Sequence, residues 1–169
     1  MARIYLDNAA TTAMRPEVIQ EMTKVMVEDF GNPSSTHSFG RQAKSLIELS
    51  RKTIAKYLNC TAQEIIFTSN ATEANNLVLQ SAVKDLGIKR IITSKIEHHA
   101  VLYVLQALQE QYNIQVDFVN IKPNGAIDIT HLSELLSDDV KTLVSLMHVN
   151  NEIGTVLDLE RVTMICKQY

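Results

Sequence analysis

Apolar residues along this chain follow two spacings, one typical of helices and one typical of strands. Helical spacing recurs in six segments, at residues 16–26, 43–57, 77–82, 101–108, 131–136 and 159–166. Short apolar or β-branched runs lie at residues 65–67, 90–93, 116–119 and 142–146. Strands that alternate with helices form right-handed βαβ units, so the pattern predicts an α/β fold with a mainly parallel sheet flanked by helices.

The segment that follows the first predicted strand has the character of an anion site. The apolar run ends at Phe67, small polar residues follow, and helical spacing resumes at Leu77. Free N–H groups at a helix start bind anions, Ser69 and Thr72 add hydroxyl donors, and Ala71 permits close approach. An equally good interpretation is that Ser69 or Thr72 simply caps the helix.

Polar side chains also follow the other predicted strands. Residues 94–99 and 147–154 carry hydroxyl, imidazole and amide groups, and ligands of parallel sheets bind beyond the carboxyl ends of the strands. Together with residues 69–72, these loops suit a flat polar ligand that carries a phosphate. The loop at residues 32–37 has no apolar periodicity and, on composition alone, reads as a surface loop.

Composition excludes several classes of function. The chain has 169 residues, a formal net charge of −3 and no basic stripe, which argues against a nucleic-acid partner. No apolar run approaches membrane-spanning length, the N-terminus does not resemble a signal peptide, and two cysteines give no disulfide framework, so we expect a cytoplasmic protein. No zinc-binding pattern and no Gly-rich nucleotide motif occurs, which disfavours a metal site and a nucleotide-binding module.

Five motifs, in order, resemble the cysteine desulfurases of the NifS/IscS type, which belong to the class V aminotransferase branch of the fold-type I pyridoxal-phosphate (PLP) enzymes. The motifs are YLDNAATT at 5–12, GNPSS at 31–35, FTSNATE at 67–73, TSKIEH at 93–98 and MHVNNEIG at 147–154. The resemblance extends over essentially the whole chain. It implies that residues 1–58 contribute to the site and to a small domain, and that residues 59–169 are the first βα units of the PLP-binding large domain.

The resemblance also implies residue roles. Ala71 and Thr72 would hold the PLP phosphate. His98 would stack on the pyridine ring and take part in proton transfer, and it is the one catalytic residue implied here. Asn151 would hydrogen-bond the ring hydroxyl oxygen, and Asn32 would lie near the substrate. Asn70 replaces the glycine usual in the family; because asparagine tolerates left-handed backbone, we expect a modest perturbation.

Three further residues of the family pattern would lie beyond position 169: the aspartate that pairs with the pyridine nitrogen, the lysine that binds PLP covalently, and the nucleophilic cysteine. We therefore expect this chain alone to be inactive and its fold to be incomplete. The family's strand order would leave the strand at residues 65–67 without sheet neighbours, while the other three strands pair with one another.

The implied reaction takes sulfur from L-cysteine to give L-alanine and an enzyme persulfide, which supplies iron–sulfur scaffold proteins or thiolation acceptors. The full-length enzyme would be a homodimer. The alternatives are another class V PLP enzyme, such as a selenocysteine lyase or an aminotransferase, and a non-catalytic fragment. A cysteine in a flexible downstream loop would favour the desulfurase.

Overall fold

A computed structural model describes residues 3–169. The chain divides into two compact units, Met1–Phe67 and Thr68–Tyr169. Among the described residues, no helix is both long and apolar enough to cross a bilayer. The predicted domain boundary at residue 58 is not tested by this division and stays a prediction.

The first unit is helical. It contains α1 (Pro16–Glu28), α2 (Ser38–Tyr57) and a short 3-10 helix (Ala62–Glu64). Pro16 occupies the first turn of α1, where a proline loses no intrahelical hydrogen bond. The His37 ring caps α2 by accepting a hydrogen bond from the Gly40 amide at 3.4 Å between Nδ1 and N.

The strand predicted at residues 65–67 is wrong, because this segment is not a strand in the structure. Ile66 and Phe67 have 69% and 48% of their surface exposed. The Ile65 carbonyl accepts a hydrogen bond from the Arg51 guanidinium instead of from a neighbouring strand. An apolar run becomes a strand only where another strand pairs with it. In the described part of the chain this segment has no sheet neighbour, which agrees with the expectation stated above.

The second unit alternates helices and strands. In chain order it contains α3 (Ala71–Lys84), β1 (Arg90–Ser94), α4 (His99–Tyr112), β2 (Gln115–Val119), α5 (Ile129–Leu135), β3 (Thr142–Val144) and α6 (Leu159–Cys166). The three strands form a parallel sheet in the order β2-β1-β3, with Ile91 opposite Val116 and Leu143. The predicted fold class, with strands two to four paired with one another, is confirmed.

The core lies on both faces of β1, every residue of which is buried. Ile91 packs in one apolar cluster with residues of α3 and α4, and Ile92 packs in a second cluster with Leu132 of α5 and Val162 of α6. Adjacent strand residues point to opposite faces, so the apolar run in β1 serves both layers.

Arg90, at the amino end of β1, forms two ion pairs. Its guanidinium lies 2.5 Å from Asp117 of β2 and 2.6 Å from Asp138 in the loop before β3. The Arg90 side chain is only 5% exposed, so both carboxylates compensate a charge that is largely withdrawn from water.

Candidate functional site

Both α3 and α4 begin at the carboxyl edge of the sheet. β1 ends at Ser94, and α4 begins a few residues later at His99. α3 is connected by a short turn to the amino end of β1, and in this turn the Ile88 amide donates to the Ala82 carbonyl at 3.0 Å. Helices on either side of a parallel strand therefore run antiparallel to it. Their N-termini and the loop after β3 define one polar edge.

Asn70 caps α3, whereas the sequence had offered Ser69 or Thr72 as alternative caps. Its Oδ1 accepts from the Glu73 amide at 2.9 Å, and its carbonyl accepts from the Ala74 amide at 3.2 Å. The backbone of Asn70 is extended, with φ −167°, so the predicted use of its left-handed tolerance is wrong. Asn70 adopts this backbone without strain and supplies a strong N-cap.

Two amides at the start of α3 remain available to a ligand. The first N–H groups of a helix have no intrahelical acceptor, and within residues 3–169 no other acceptor contacts those of Ala71 and Thr72. Both residues are exposed. The neighbouring Glu73 carboxylate accepts from the Ser69 amide at 2.6 Å, and its hydrogen bonds to Ser69 lower the pKa of Glu73, so it is ionised at neutral pH.

His98 is the N-cap of α4 and is exposed. Its Nδ1 accepts from the Ala100 amide at 3.0 Å, so in the neutral ring the proton is on Nε2. His99 is already the first residue of α4, and its ring stacks on Tyr103 with centroids 5.2 Å apart. The His98 and His99 ring centroids lie 6.2 Å apart, with the ring planes tilted by 58°.

The loop after β3 folds back on itself between His148 and Leu157, whose main chains are joined at 2.7 Å. Asn150 is 5% exposed and binds the loop internally: its Oδ1 accepts from the Glu152 and Ile153 amides at 2.9 and 3.1 Å. Asn151 is exposed, with its Nδ2 3.2 Å from the Glu152 carboxylate. These two adjacent asparagines therefore have opposite environments.

The loops after β1 and β3 are joined through Glu97, a residue that no pattern in the sequence singles out. Its Oε1 accepts from the Met147 amide at 2.7 Å and from the Ser94 hydroxyl at 3.0 Å. Burial raises the pKa of Glu97 above its usual value, although both hydrogen bonds act in the opposite direction. A single carboxylate between Ile96 and His98 carries no periodic signal, so only its position after a buried strand could have drawn attention to it.

Asn32 belongs to the first unit. Its Oδ1 accepts from the Ser34 amide at 2.9 Å, and its carbonyl accepts from the Ser35 amide at 2.9 Å, so it closes the turn before α2. Ala71, Thr72, His98 and Asn151 all lie in the second unit, at the start of α3, at the start of α4 and in the loop after β3. In the described part of the chain, no group of three or more potential ligands could hold a metal ion.

A model of the family "Aminotransferase class-V" matches residues 4–169. The chain belongs to this family. A cysteine desulfurase IscS of Dictyoglomus turgidum is 42% identical over 168 residues, which are 98% of this chain and 42% of that protein. The predicted resemblance to NifS/IscS-type enzymes is thus confirmed, and the chain spans less than half the length of this relative.

Solved structures of similar proteins agree with this chain in fold. A NifS-like protein superposes with a TM-score of 0.91 at 38% identity, over 99% of this chain and 46% of that one. A structure described as SspA in complex with cysteine superposes with a TM-score of 0.84 at 33% identity, over 95% of this chain and 46% of that one. The open amides at the start of α3 fit the phosphate of PLP, the cofactor of the class V family.

Proposed function

We propose that the chain is the cofactor-holding part of a PLP-dependent cysteine desulfurase. The observation that carries the proposal is the start of α3, where the amides of the exposed residues Ala71 and Thr72 have no acceptor within the described residues. A helix N-terminus with free amides binds a phosphate without any cationic side chain. The similarity to IscS and NifS-like proteins supports the choice of PLP.

Four residues of the second unit would hold the cofactor. Ala71 and Thr72 would donate to the phosphate, His98 would stack on the pyridine ring, and Asn151 would donate to the ring hydroxyl oxygen. Asn32 would lie near the substrate. When bound, PLP supplies an electron sink for the carbanion formed at the substrate Cα. His98 keeps its proton on Nε2, because Nδ1 is engaged with Ala100, so Nε2 is the nitrogen that would donate.

The substrate would be L-cysteine, converted to L-alanine with transfer of the sulfur as a persulfide to an iron–sulfur scaffold or a thiolation acceptor. The structural neighbour described in complex with cysteine supports this substrate. The free thiols Cys60 and Cys166 fit a reducing compartment, so the proposal includes the cytoplasm. A homodimer would be the state of the whole protein.

Titration of the chain with PLP, followed by absorbance and by equilibrium dialysis, tests the phosphate site. A hydrogen bond to a charged group contributes about 1.5–3 kcal/mol, so Thr72→Ala should weaken PLP binding about tenfold or more. Thr163→Ala, an exposed threonine on α6, is the matched control and should bind as the wild type does. Equal PLP affinity of Thr72→Ala and the wild type would contradict the proposal.

A further inference from the structure

Two hydrogen bonds join the loop after β1 to the loop after β3. The Met147 amide donates to Glu97 Oε1 at 2.7 Å, and Asn150 Nδ2 donates to the Ile96 carbonyl at 2.8 Å. Both donors belong to the later loop, and both acceptors belong to the earlier one. The two loops are therefore fixed to each other at neighbouring positions.

Both side chains that form this connection are buried. Glu97 is 8% exposed and Asn150 is 5% exposed. A buried carboxylate costs stability, and an apolar residue of similar size generally stabilises a core better. Stability of the core therefore gives no reason for a glutamate at this position, whereas alignment of the two loops does.

Packing alone does not hold the two loops in place. Ile96, Glu97, Met147 and Asn150 line a cavity of about 210 Å³ between the sheet edge and the turn at Gly125. A close-packed core would fix neighbouring segments by contact. Here the side bordering the cavity lacks such contacts, so the two hydrogen bonds take a larger share in aligning the loops.

We propose that Glu97 and Asn150 are positioning residues that set the placement of His98 relative to Asn151. His98 directly follows Glu97 in the chain, and Asn151 directly follows Asn150. In each pair the first residue is buried and the second is exposed on the polar edge. The proposal rests on the proposed function in one respect, namely that His98 and Asn151 bind the cofactor.

Amide hydrogen exchange and NMR spectra of the ligand-free chain test the connection itself. In Glu97→Ala, exchange at the Met147 amide should accelerate at least about tenfold, and the amide signals of His98 and Asn151 should shift. Glu97→Gln keeps an acceptor oxygen and should restore both. Glu110→Ala, an exposed glutamate on α4, is the control. If Glu97→Ala does not fold, Glu97→Asp retracts the carboxylate by one methylene and should give the same changes.

PLP titration of the same variants tests the functional part. Glu97→Ala should bind PLP at least about tenfold more weakly than the wild type, with recovery in Glu97→Gln. Unchanged Met147 exchange and unchanged His98 and Asn151 signals would overturn the connection. Shifted signals with wild-type PLP affinity would overturn the positioning role alone. A wild-type chain that does not bind PLP would overturn the proposed function, and the positioning of a cofactor site with it.

Discussion

The ring of His98 binds the backbone of Ala100, with 3.0 Å between Nδ1 and the amide nitrogen, so the residue proposed to stack on the cofactor also caps α4. The two roles can be separated. Asparagine is among the best N-caps but has no ring, and alanine lacks both properties. His98 is exposed, so neither substitution disturbs the apolar core.

We expect His98→Asn to keep the thermal stability of the chain and to weaken PLP binding. His98→Ala should weaken binding equally and also cost about 1 kcal/mol of unfolding free energy, because the cap is lost. His99→Ala, whose ring stacks on Tyr103, should bind PLP as the wild type does. If His99→Ala loses PLP affinity and His98→Asn does not, the proposed role belongs to the wrong histidine.

Asn150 and Asn151 form a second matched pair. Asn150→Ala leaves the Ile96 carbonyl and two loop amides without their partner, so urea denaturation should show a loss of about 1–3 kcal/mol. Asn151→Ala removes an exposed side chain and should change stability by at most about 0.5 kcal/mol, while weakening PLP binding. Equal destabilisation by both substitutions would show that the two environments do not differ.

Stability should depend on pH through Glu97. Its pKa in the folded chain is raised above the ordinary value of 4.5 by burial, so the folded state binds this proton more tightly than the unfolded state does. The unfolding free energy should therefore decrease as the pH rises from about 4.5 through the raised pKa. Glu97→Gln cannot ionise and should lose this component in urea denaturation series. If the unfolding free energies of the wild type and of Glu97→Gln depend on pH in the same way, Glu97 is not the group responsible.

The two ion pairs of Arg90 should differ in strength. Asp117 has a side chain that is 23% exposed, and Asp138 one that is 52% exposed. Asp117→Asn should therefore cost about 3 kcal/mol of unfolding free energy, whereas Asp138→Asn should cost at most about 1 kcal/mol. Chemical denaturation of the two variants gives the comparison, and a larger loss for Asp138→Asn would reverse this ranking.

The sequence predicted the central strand well and the segment at residues 65–67 badly, for one physical reason. Both are apolar runs, but β1 pairs with a strand on either side, whereas residues 65–67 pair with no strand among residues 3–169. Local composition indicates whether a segment is able to form a strand, but the segment forms one only if a neighbouring strand pairs with it.

At the candidate site, too, the local sequence did not determine the roles of single residues. The turn before α3 was predictable, because small polar residues between an apolar run and a helical pattern mark a helix start. Which residue capped the helix was not, since Ser69, Asn70 and Thr72 all make good caps. Two adjacent asparagines also look identical in sequence, and only the tertiary fold buries Asn150 and exposes Asn151.

The position of Arg90 at the start of β1 has a consequence for the newly synthesised chain. β1 pairs with residues that follow it by 25 positions in β2 and by 52 in β3, so both of its edges are bare when it leaves the ribosome. Charges that flank an apolar β run oppose its self-association, and Lys89, Arg90 and Lys95 flank this one. We expect the refolding yield of Arg90→Met to fall steeply as the protein concentration rises, whereas the refolding yield of the wild type should not. Light scattering during refolding measures the aggregation that causes the loss. The Arg90 guanidinium, which Asp117 neutralises in the folded chain, would oppose aggregation before folding is complete.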